Sequence, residues 1–308
     1  METVLQVRGL RKRYGQIEAL KGLDLEVQRG EVFGFLGPNG AGKTTFTKCV
    51  TGFVRPSAGQ ITVLGQDAIR HPTRVAPHLG LVPDQYDFYG NLSGWQHLDF
   101  YGRLLSMPKR ERDARIDEVL GIVRMEEGAH RRVKGYSHGM KQRICIAQAI
   151  LHKPELILFD EPTNGLDPKG AVELRDLIKG LAKDGTTVFL NSHLLNEVEQ
   201  TCSRVAILDK GRLVTVSSVA QLRRRSGGAG AVVVRVANPS AKLATAVKTA
   251  IKKAAKAEGD GISFLADEDQ TAKAVAAIVK AGGQVTGVER ANASLESAFL
   301  ELTQGDSA

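Results

Sequence analysis

Residues Gly37-Pro38-Asn39-Gly40-Ala41-Gly42-Lys43-Thr44-Thr45 decide how the rest of the chain is read. They match G-x-x-x-x-G-K-[ST], a pattern whose backbone cradles nucleotide phosphates. The apolar run Val32, Phe33, Phe35 and Leu36 before it reads as a buried strand, and Phe46 to Val50 after it can be helical. Three glycines let successive N–H groups turn inward toward an anion, and the helix that follows adds the positive end of its dipole. Lys43 sets a compact cation at the β and γ phosphates, and the Thr44 hydroxyl can ligate Mg²⁺. The competing reading is a glycine-rich turn that happens to carry a lysine, but strand, loop and helix follow in the order the phosphate pattern needs. The stretch is expected to bind a nucleoside triphosphate.

Downstream, Leu156-Ile157-Leu158-Phe159 is a continuous apolar run, as a central parallel strand should be. It ends in Asp160-Glu161-Pro162. Carboxylates at that end of a strand face the crevice where α/β sheets bind ligands. Asp160 is expected to hold Mg²⁺ through water, and Glu161 to orient and polarise an attacking water; otherwise the two cap a helix. A further buried strand, Thr187 to Leu190, ends at Asn191-Ser192-His193. A lone histidine is usually structural, but this one ends a strand beside the phosphate loop, where a γ-phosphate contact is the alternative.

Upstream, Val4 to Val7 and Leu23 to Val27 alternate like half-buried strands, with Ile17 to Leu20 between them. Tyr14, in the turn before Ile17, either stacks on a base or packs on the core. Leu79 to Val82 form a strand that stops at Pro83. Asp84 and Gln85 follow, then Tyr86, Phe88 and Tyr89 in a loop that is either a partner surface or self-packed. Trp95, Leu98, Tyr101, Leu104 and Leu105 recur at helical spacing and are expected in the core. Lys109 to Met125 reads as an amphipathic helix, and Ser137 as the N-cap of another that runs to about His152.

Arg223-Arg224-Arg225 and the glycine-rich residues 226–230 mark a boundary. The basic triplet is a solvated helix end or a contact for anionic lipid, and the glycine run a flexible linker. Residues 1–225 are therefore expected to form one domain and residues 231–308 a small α+β accessory domain. The second should contain strands at Val232–Val236, Ile262–Leu265 and Gln284–Val288, and helices at Ser240–Lys256, Thr271–Lys280 and Leu295–Leu302.

Composition excludes little. Hydrophobic content of 42% and charged content of 25% are ordinary for a globular protein. No apolar stretch is long enough to span a bilayer, and Met1 to Arg13 lacks the apolar core of a signal peptide, so a cytosolic chain is expected. Cys49, Cys145 and Cys202 are scattered and read as reduced structural thiols. A net charge of +8 is compatible with nucleic acid, with an anionic leaflet, or with neither.

Taken in order, the motifs resemble the ATP-binding subunit of an ABC transporter over about residues 4 to 225. The resemblance implies an α/β P-loop NTPase fold of the ABC type: a mixed sheet with helices, an antiparallel β subdomain and a helical subdomain. Gly37 to Thr45 look like Walker A, and Leu156 to Glu161 like Walker B with its catalytic glutamate. Tyr136-Ser137-His138-Gly139-Met140 resembles the family signature, Asn164-Gly165-Leu166-Asp167 the D-loop and His193 the switch histidine. Tyr14 falls where the family stacks an aromatic on adenine. The implied ATP contacts are Tyr14, Gly37, Pro38, Asn39, Gly40, Ala41, Gly42, Lys43, Thr44, Thr45, Ser137 and Gly139. Catalysis is implied for Glu161, His193 and Lys43, and Mg²⁺ binding for Thr44, Asp160 and either Asp84 or Gln85.

Two departures stand out. His138 and Met140 replace a glycine and a glutamine of the usual signature, and Asp84 follows Pro83 where the family has glutamine or glutamate. Ser-x-Gly-Met-Lys-Gln-Arg, Ser192 to Glu199, and Ser294 to Thr303 resemble the drug, lipid and polysaccharide exporters whose permease is a separate chain. The resemblance implies a homodimer of ATPase subunits that sandwiches ATP and Mg²⁺, docked through a transmembrane permease on the inner face of the cell membrane, with no nucleic acid. The alternative is a soluble ABC ATPase acting on ribosomes or nucleic acid. Such proteins typically carry two cassettes or a coiled-coil insertion, neither of which this sequence shows. A GTPase lacks its Asn-Lys-x-Asp motif here, and a non-hydrolysing regulatory module would not need Asp160-Glu161.

Overall fold

The structure, a computed structural model, describes residues 2–225, 230–266 and 268–290. Strands β1 (Thr3–Tyr14) and β2 (Ile17–Gln28) form a long hairpin, and β3 (Val32–Leu36) leads through the glycine loop into α1 (Lys43–Val50). β4 (Ala58–Val63) and β5 (Gln66–Asp67) join the hairpin in an antiparallel sheet of order β2-β1-β4-β5. Ile17 to Leu20 belong to β2 and are no separate strand. Register shifts between β1 and β2 change which face each residue meets, so the alternation breaks although the strand continues.

After α2 (Pro72–Val75), β6 (Leu79–Val82) enters a second sheet. Helices α3 (Gly94–Leu104), α4 (Lys109–Ile122) and α5 (His138–Ile150) then pack on one another. The chain returns as β7 (Leu156–Asp160), α6 (Pro168–Lys183), β8 (Thr187–Ser192), α7 (Leu195–Thr201), β9 (Arg204–Asp209) and β10 (Arg212–Ser218). The sheet order is β10-β9-β3-β8-β7-β6, with β9, β3, β8, β7 and β6 parallel. The carboxyl ends of β3, β7 and β8 therefore lie side by side, which gathers Leu36, Asp160 and Ser192 at one edge of the sheet.

One core joins both sheets. At its centre Phe189 meets Phe33 at 5.7 Å, Phe35 at 5.3 Å and Phe46 at 5.2 Å between ring centroids. In the helical group Leu98 and His97 are buried, but Leu104 is 64% exposed and Leu105 44%, so the apolar stripe is core only over its first half. The reason is local: α3 ends at Leu104, and Ser106 at φ 57° turns the chain away. Tyr86 packs on Phe88, and Phe88 edge-on against His97 at 4.7 Å, whereas Tyr89 stays exposed against Phe100. All three cysteines are free and buried. Burial pushes the Cys49 thiol up to about 11 and the Cys145 thiol up to about 12, which keeps them unreactive.

The chain divides into two compact units between Ser217 and Ser218. Helix α8 (Val219–Arg225) falls in the second unit, eight residues or so before the boundary read from the glycine run. The second unit continues with β11 (Gly230–Val236), α9 (Ala241–Ile251), β12 (Ala255–Glu258), β13 (Gly261–Ala266), α10 (Glu268–Lys280) and β14 (Val285–Arg290). Its antiparallel sheet has the order β12-β13-β11-β14, the split-βαβ arrangement. The helix expected to reach Lys256 stops at Ile251, where Lys252 adopts φ 55°. Residues Ala255–Glu258 then pair with β13, because an open sheet edge outweighs their helical composition. Gly230 opens a strand and is not part of a linker. Residues 226–229, the helix expected at Leu295–Leu302 and the Ser294–Thr303 motif lie outside the described residues.

Two outcomes follow from this packing. Phe189→Ala removes the ring on which three others rest and is expected to cost about 3–5 kcal/mol in guanidinium unfolding. A chain ending at Gly228 is expected to keep a cooperative melt by far-ultraviolet circular dichroism; an unfolded product would show that the first unit depends on the second.

Candidate functional site

Gly40 and Gly42 hold φ of 81° and 111°, which only glycine adopts without strain. A Cβ on Gly37 would lie 2.4 Å from the Leu208 carbonyl oxygen, and one on Gly42 2.7 Å from that of Ala19. The loop is thus pressed between β9 and β2 and opens onto the N-terminus of α1. Lys43 is only 6% exposed. Its ammonium donates to the Gly37 carbonyl at 2.7 Å and pairs with Glu161 Oε1 at 3.2 Å.

Glu161 follows β7 directly, at φ 50°. That conformation is strained for a residue with a Cβ and is found most often where function demands it. Its N–H donates to the Asn191 carbonyl at 3.0 Å. One carboxylate oxygen meets Lys43. The other lies 2.7 Å from His193 Nδ1 and accepts from the His193 backbone N–H at 3.3 Å. Asp160 sits behind, nearly fully buried. Burial pushes its carboxyl above the usual carboxylate range, against the opposing hydrogen bonds from Asn191 and Thr44. Asn191 Nδ2 reaches Asp160 Oδ1 at 3.2 Å and also Thr47 Oγ1, while its own Oδ1 is buried with no partner among the described residues.

Lys43, Glu161 and His193 border a cavity of about 360 Å³, together with Pro38, Asn39, Gly40, Gly42, Thr44, Thr45, Asp84 and Asn164. Ser137, Gly139 and Asp167 border a different cavity of about 550 Å³ between α5 and α6. There Ser137 caps α5 by accepting from the Met140 N–H, and Asp167 caps α6 by accepting from Gly170 N–H at 2.8 Å. Tyr14 borders neither cavity. It ends β1, 44% exposed, with Lys12 4.8 Å above its ring. Of the two residues after Pro83, Asp84 turns to the first cavity, where it accepts from Asn164 Nδ2 at 3.3 Å, and Gln85 does not. His138 ties the regions together: its Nε2 lies 3.0 Å from the Asn164 carbonyl, and its ring stacks on Tyr86.

Sequence reading treats Asn191 only as the end of a strand. The available signal is its polarity at the end of an apolar run, as with Asp160, and β-pairing sets the two opposite each other. Ala19, which also borders the cavity, carries no signal, since a backbone carbonyl and a methyl group are all it contributes.

Thr44, Asp160 and Asp84 offer the hard oxygen donors that Mg²⁺ takes. No group of three His, Cys, Asp or Glu side chains converges among the described residues. This donor set suits a cation that completes its shell with phosphate oxygens and water, and it would not make a closed protein cage. A charge on Asp160 also has a stability consequence. Its folded pKa is raised, so the proton is held more tightly in the folded chain, and stability is lost as pH rises through that value. Asp160→Asn is therefore expected to raise the melting temperature of the nucleotide-free protein at pH 8. The gain should shrink as the pH falls toward the carboxylate range; an equal gain at every pH would assign it to packing.

The site's place among known proteins agrees with this geometry. Residues 20–164 match the family model described as ABC transporter. The chain is 35% identical to the daunorubicin resistance ATP-binding protein DrrA3 of Streptomyces coeruleorubidus, over 99% of this chain and 97% of that protein. It is 38% identical to the bacitracin transport ATP-binding protein BcrA of Bacillus licheniformis, over 73% of each. Among solved structures, cbiO1 from Clostridium perfringens, part of the ABC transporter complex cbiONQ, superposes with a TM-score of 0.67 at 28% identity, covering 72% of this chain and 91% of that one. The chain belongs to the ABC transporter family, as one of its ATP-binding, ATP-hydrolysing subunits.

Proposed function

We propose that this subunit powers an exporter through a separate transmembrane permease, with two copies of the chain closing on two ATP molecules. The observation that carries the reading is the separation of the two cavities. Lys43, Thr44, Glu161 and His193 border one, and Ser137, Gly139 and Asp167 the other. Ser137 and Gly139 are thus apart from the phosphate loop of their own chain, where a second copy can supply them instead.

In this reading Gly37 to Thr45 hold the phosphates and the solvent-facing ring of Tyr14 receives adenine. Thr44, Asp160 and Asp84 would hold Mg²⁺, which would supply charge stabilisation for the phosphates and offset the buried Asp160 carboxylate. Glu161 orients a water in line with the γ-phosphate. His193 braces that carboxylate through Nδ1 and keeps its other ring nitrogen for the γ-phosphate, while Lys43 balances the charge that develops there. No helix among the described residues is long and apolar enough to cross a membrane. The exposed side chains of Tyr89, Phe100, Leu104 and Leu105 form an apolar surface suited to the permease on the membrane's inner face. Relatives named for daunorubicin resistance and bacitracin transport support export of an antibiotic-like small molecule, which the permease would recognise.

The test uses two variants. Lys43→Ala should lose ATP binding and turnover together. Glu161→Gln keeps the shape but not the charge, so it should bind ATP yet hydrolyse it about 100-fold more slowly or worse. With ATP, and not with ADP, it should elute as a dimer in size-exclusion chromatography. Wild-type turnover in Glu161→Gln would remove its catalytic role. Slow turnover with no ATP-dependent dimer, even beside the permease, would discard the shared-site mechanism.

A further inference from the structure

The turn Glu161-Pro162-Thr163-Asn164 is gripped at each of its four residues. Glu161 donates its N–H to the Asn191 carbonyl at 3.0 Å, and Asn164 closes the turn by donating to the Glu161 carbonyl at 3.1 Å. The Pro162 carbonyl accepts from Gln142 Nε2, and Thr163 Oγ1 donates to the Glu197 carboxylate. The Asn164 carbonyl faces His138 Nε2 at 3.0 Å. A carbonyl oxygen only accepts, so Nε2 is the ring nitrogen that carries the proton there.

Two of these grips come from one helix face. His138 and Gln142 stand four residues apart on α5, so their side chains project from the same side of it. Gln142 is buried, and its Oε1 has no partner among the described residues. An amide buried with its oxygen unpaired is costly, and what it gains at this place is the bond to the turn. His138 is exposed, and its aim is set by its neighbours instead. Its ring stacks on Tyr86 with centroids 6.3 Å apart, and a Cβ on Gly165 would stand 3.3 Å from Nε2. The imidazole thus rests against Tyr86 and the bare backbone of Gly165, with its N–H directed at the end of the turn.

We propose that His138 is a positioning residue for hydrolysis: together with Gln142 it holds, from α5, the turn that aims the Glu161 carboxylate. The proposal rests on the reading above in which Glu161 orients the attacking water. Glu161 sits at φ 50°, a conformation that persists only where its surroundings over-determine it. In-line attack is sensitive to small errors of aim, so a looser turn lowers the rate of the chemical step. ATP binding draws on the phosphate loop, and His138 does not border the phosphate cavity. Its loss should therefore act on kcat and spare KM. The glycine of the usual signature offers no donor to Asn164, so this hold belongs to the histidine. His138 also borders the cavity that holds Ser137 and Gly139. A direct contact with the nucleotide of a second copy is the competing role, and it would move KM.

The experiment measures ATP turnover and ATP affinity of the intact chain. His138→Leu keeps much of the side chain's bulk and removes the donor. One hydrogen bond corresponds to about tenfold in rate, so kcat should fall about tenfold while KM for ATP stays within about twofold. His138→Gly should lose as much, which separates the missing donor from the shape of leucine. His138→Gln carries an amide N–H at a similar reach and should recover most of the loss. In the Glu161→Gln background, His138→Leu should slow turnover by no more than about twofold, because it acts through a group already replaced. ATP affinity there should equal that of Glu161→Gln alone. The proposal is overturned if His138→Leu or His138→Gly keeps wild-type kcat, or if His138→Gln is as slow as they are. It is equally overturned if KM rises with the loss, or if His138→Leu slows Glu161→Gln by a further tenfold or weakens its ATP affinity. Wild-type turnover in Glu161→Gln alone would overturn the reading of Glu161 and the proposal with it, whereas the other outcomes leave that reading standing.

Discussion

Everything at the site depends on a clamp made of backbone atoms. The Gly211 N–H donates to the Ala41 carbonyl at 2.9 Å, and the Lys21 N–H donates to the Gly211 carbonyl at 2.8 Å. A Cβ on Gly211 would stand 2.6 Å from the Ala19 carbonyl oxygen. The antiparallel sheet, the parallel sheet and the phosphate loop thus meet where side chains have no room, which is why Gly37, Gly42 and Gly211 recur at the contact. The loop's shape is imposed by the packing of two sheets, whose shared core of phenylalanines resists distortion. A phosphate that binds there need not order the loop first, and less of its binding energy is lost to that step.

The second constraint is charge. A buried lysine without a partner is costly, and Lys43 finds its partner in Glu161, which also holds His193. One carboxylate therefore meets the Lys43 ammonium and the His193 ring across the mouth of the loop. In the proposed cycle a γ-phosphate competes for Lys43, and the glutamate oxygen it releases becomes available to water. Asp160 and Asn191 lie deeper, paired across adjacent strands, and fix the floor on which that exchange takes place. The strained backbone at Glu161 is tolerable because its N–H is held by Asn191 on the neighbouring strand.

What the sequence makes legible, and what it hides, follows from the range of the interactions. Leu156 to Phe159 and Val32 to Leu36 are buried on both faces, so an unbroken apolar run marks them, and the acids and glycines at their ends are conspicuous. Phosphate-loop residues, Glu161 and His193 were all readable as one neighbourhood for that reason. Asn191 was not, because its importance comes from the strand beside it. That Asp84 borders the phosphate cavity and Gln85 does not depends on contacts such as that with Asn164, eighty residues away. Leu104 and Leu105 keep the helical period at the last residue of α3 and just past it, where the chain turns away, so periodicity overstated the core. In the second unit, the Ala/Lys run from Lys252 to Glu258 favours helix locally, and only pairing with β13 makes its end a strand. The division at Ser217 likewise depends on three-dimensional contacts, whereas the glycine run drew attention to a later position.

His138 shows how a departure from a family pattern can acquire a structural role. Glycine at this position would have no side chain to offer. Histidine spans from the Ser137 turn to the Asn164 carbonyl and stacks on Tyr86. Asn164 in turn borders the phosphate cavity and donates to Asp84. A Cβ on Gly165 would come within 3.3 Å of the imidazole, so the glycine beside Asn164 is what lets the ring approach. The two cavities are therefore mechanically linked within one chain, through a ring and two hydrogen bonds. Asn164 and Asp84 thus connect the phosphate cavity to the start of α5 through His138. The link runs through side chains that a glycine signature lacks, so here the start of α5 is tied to the phosphate cavity within a single chain.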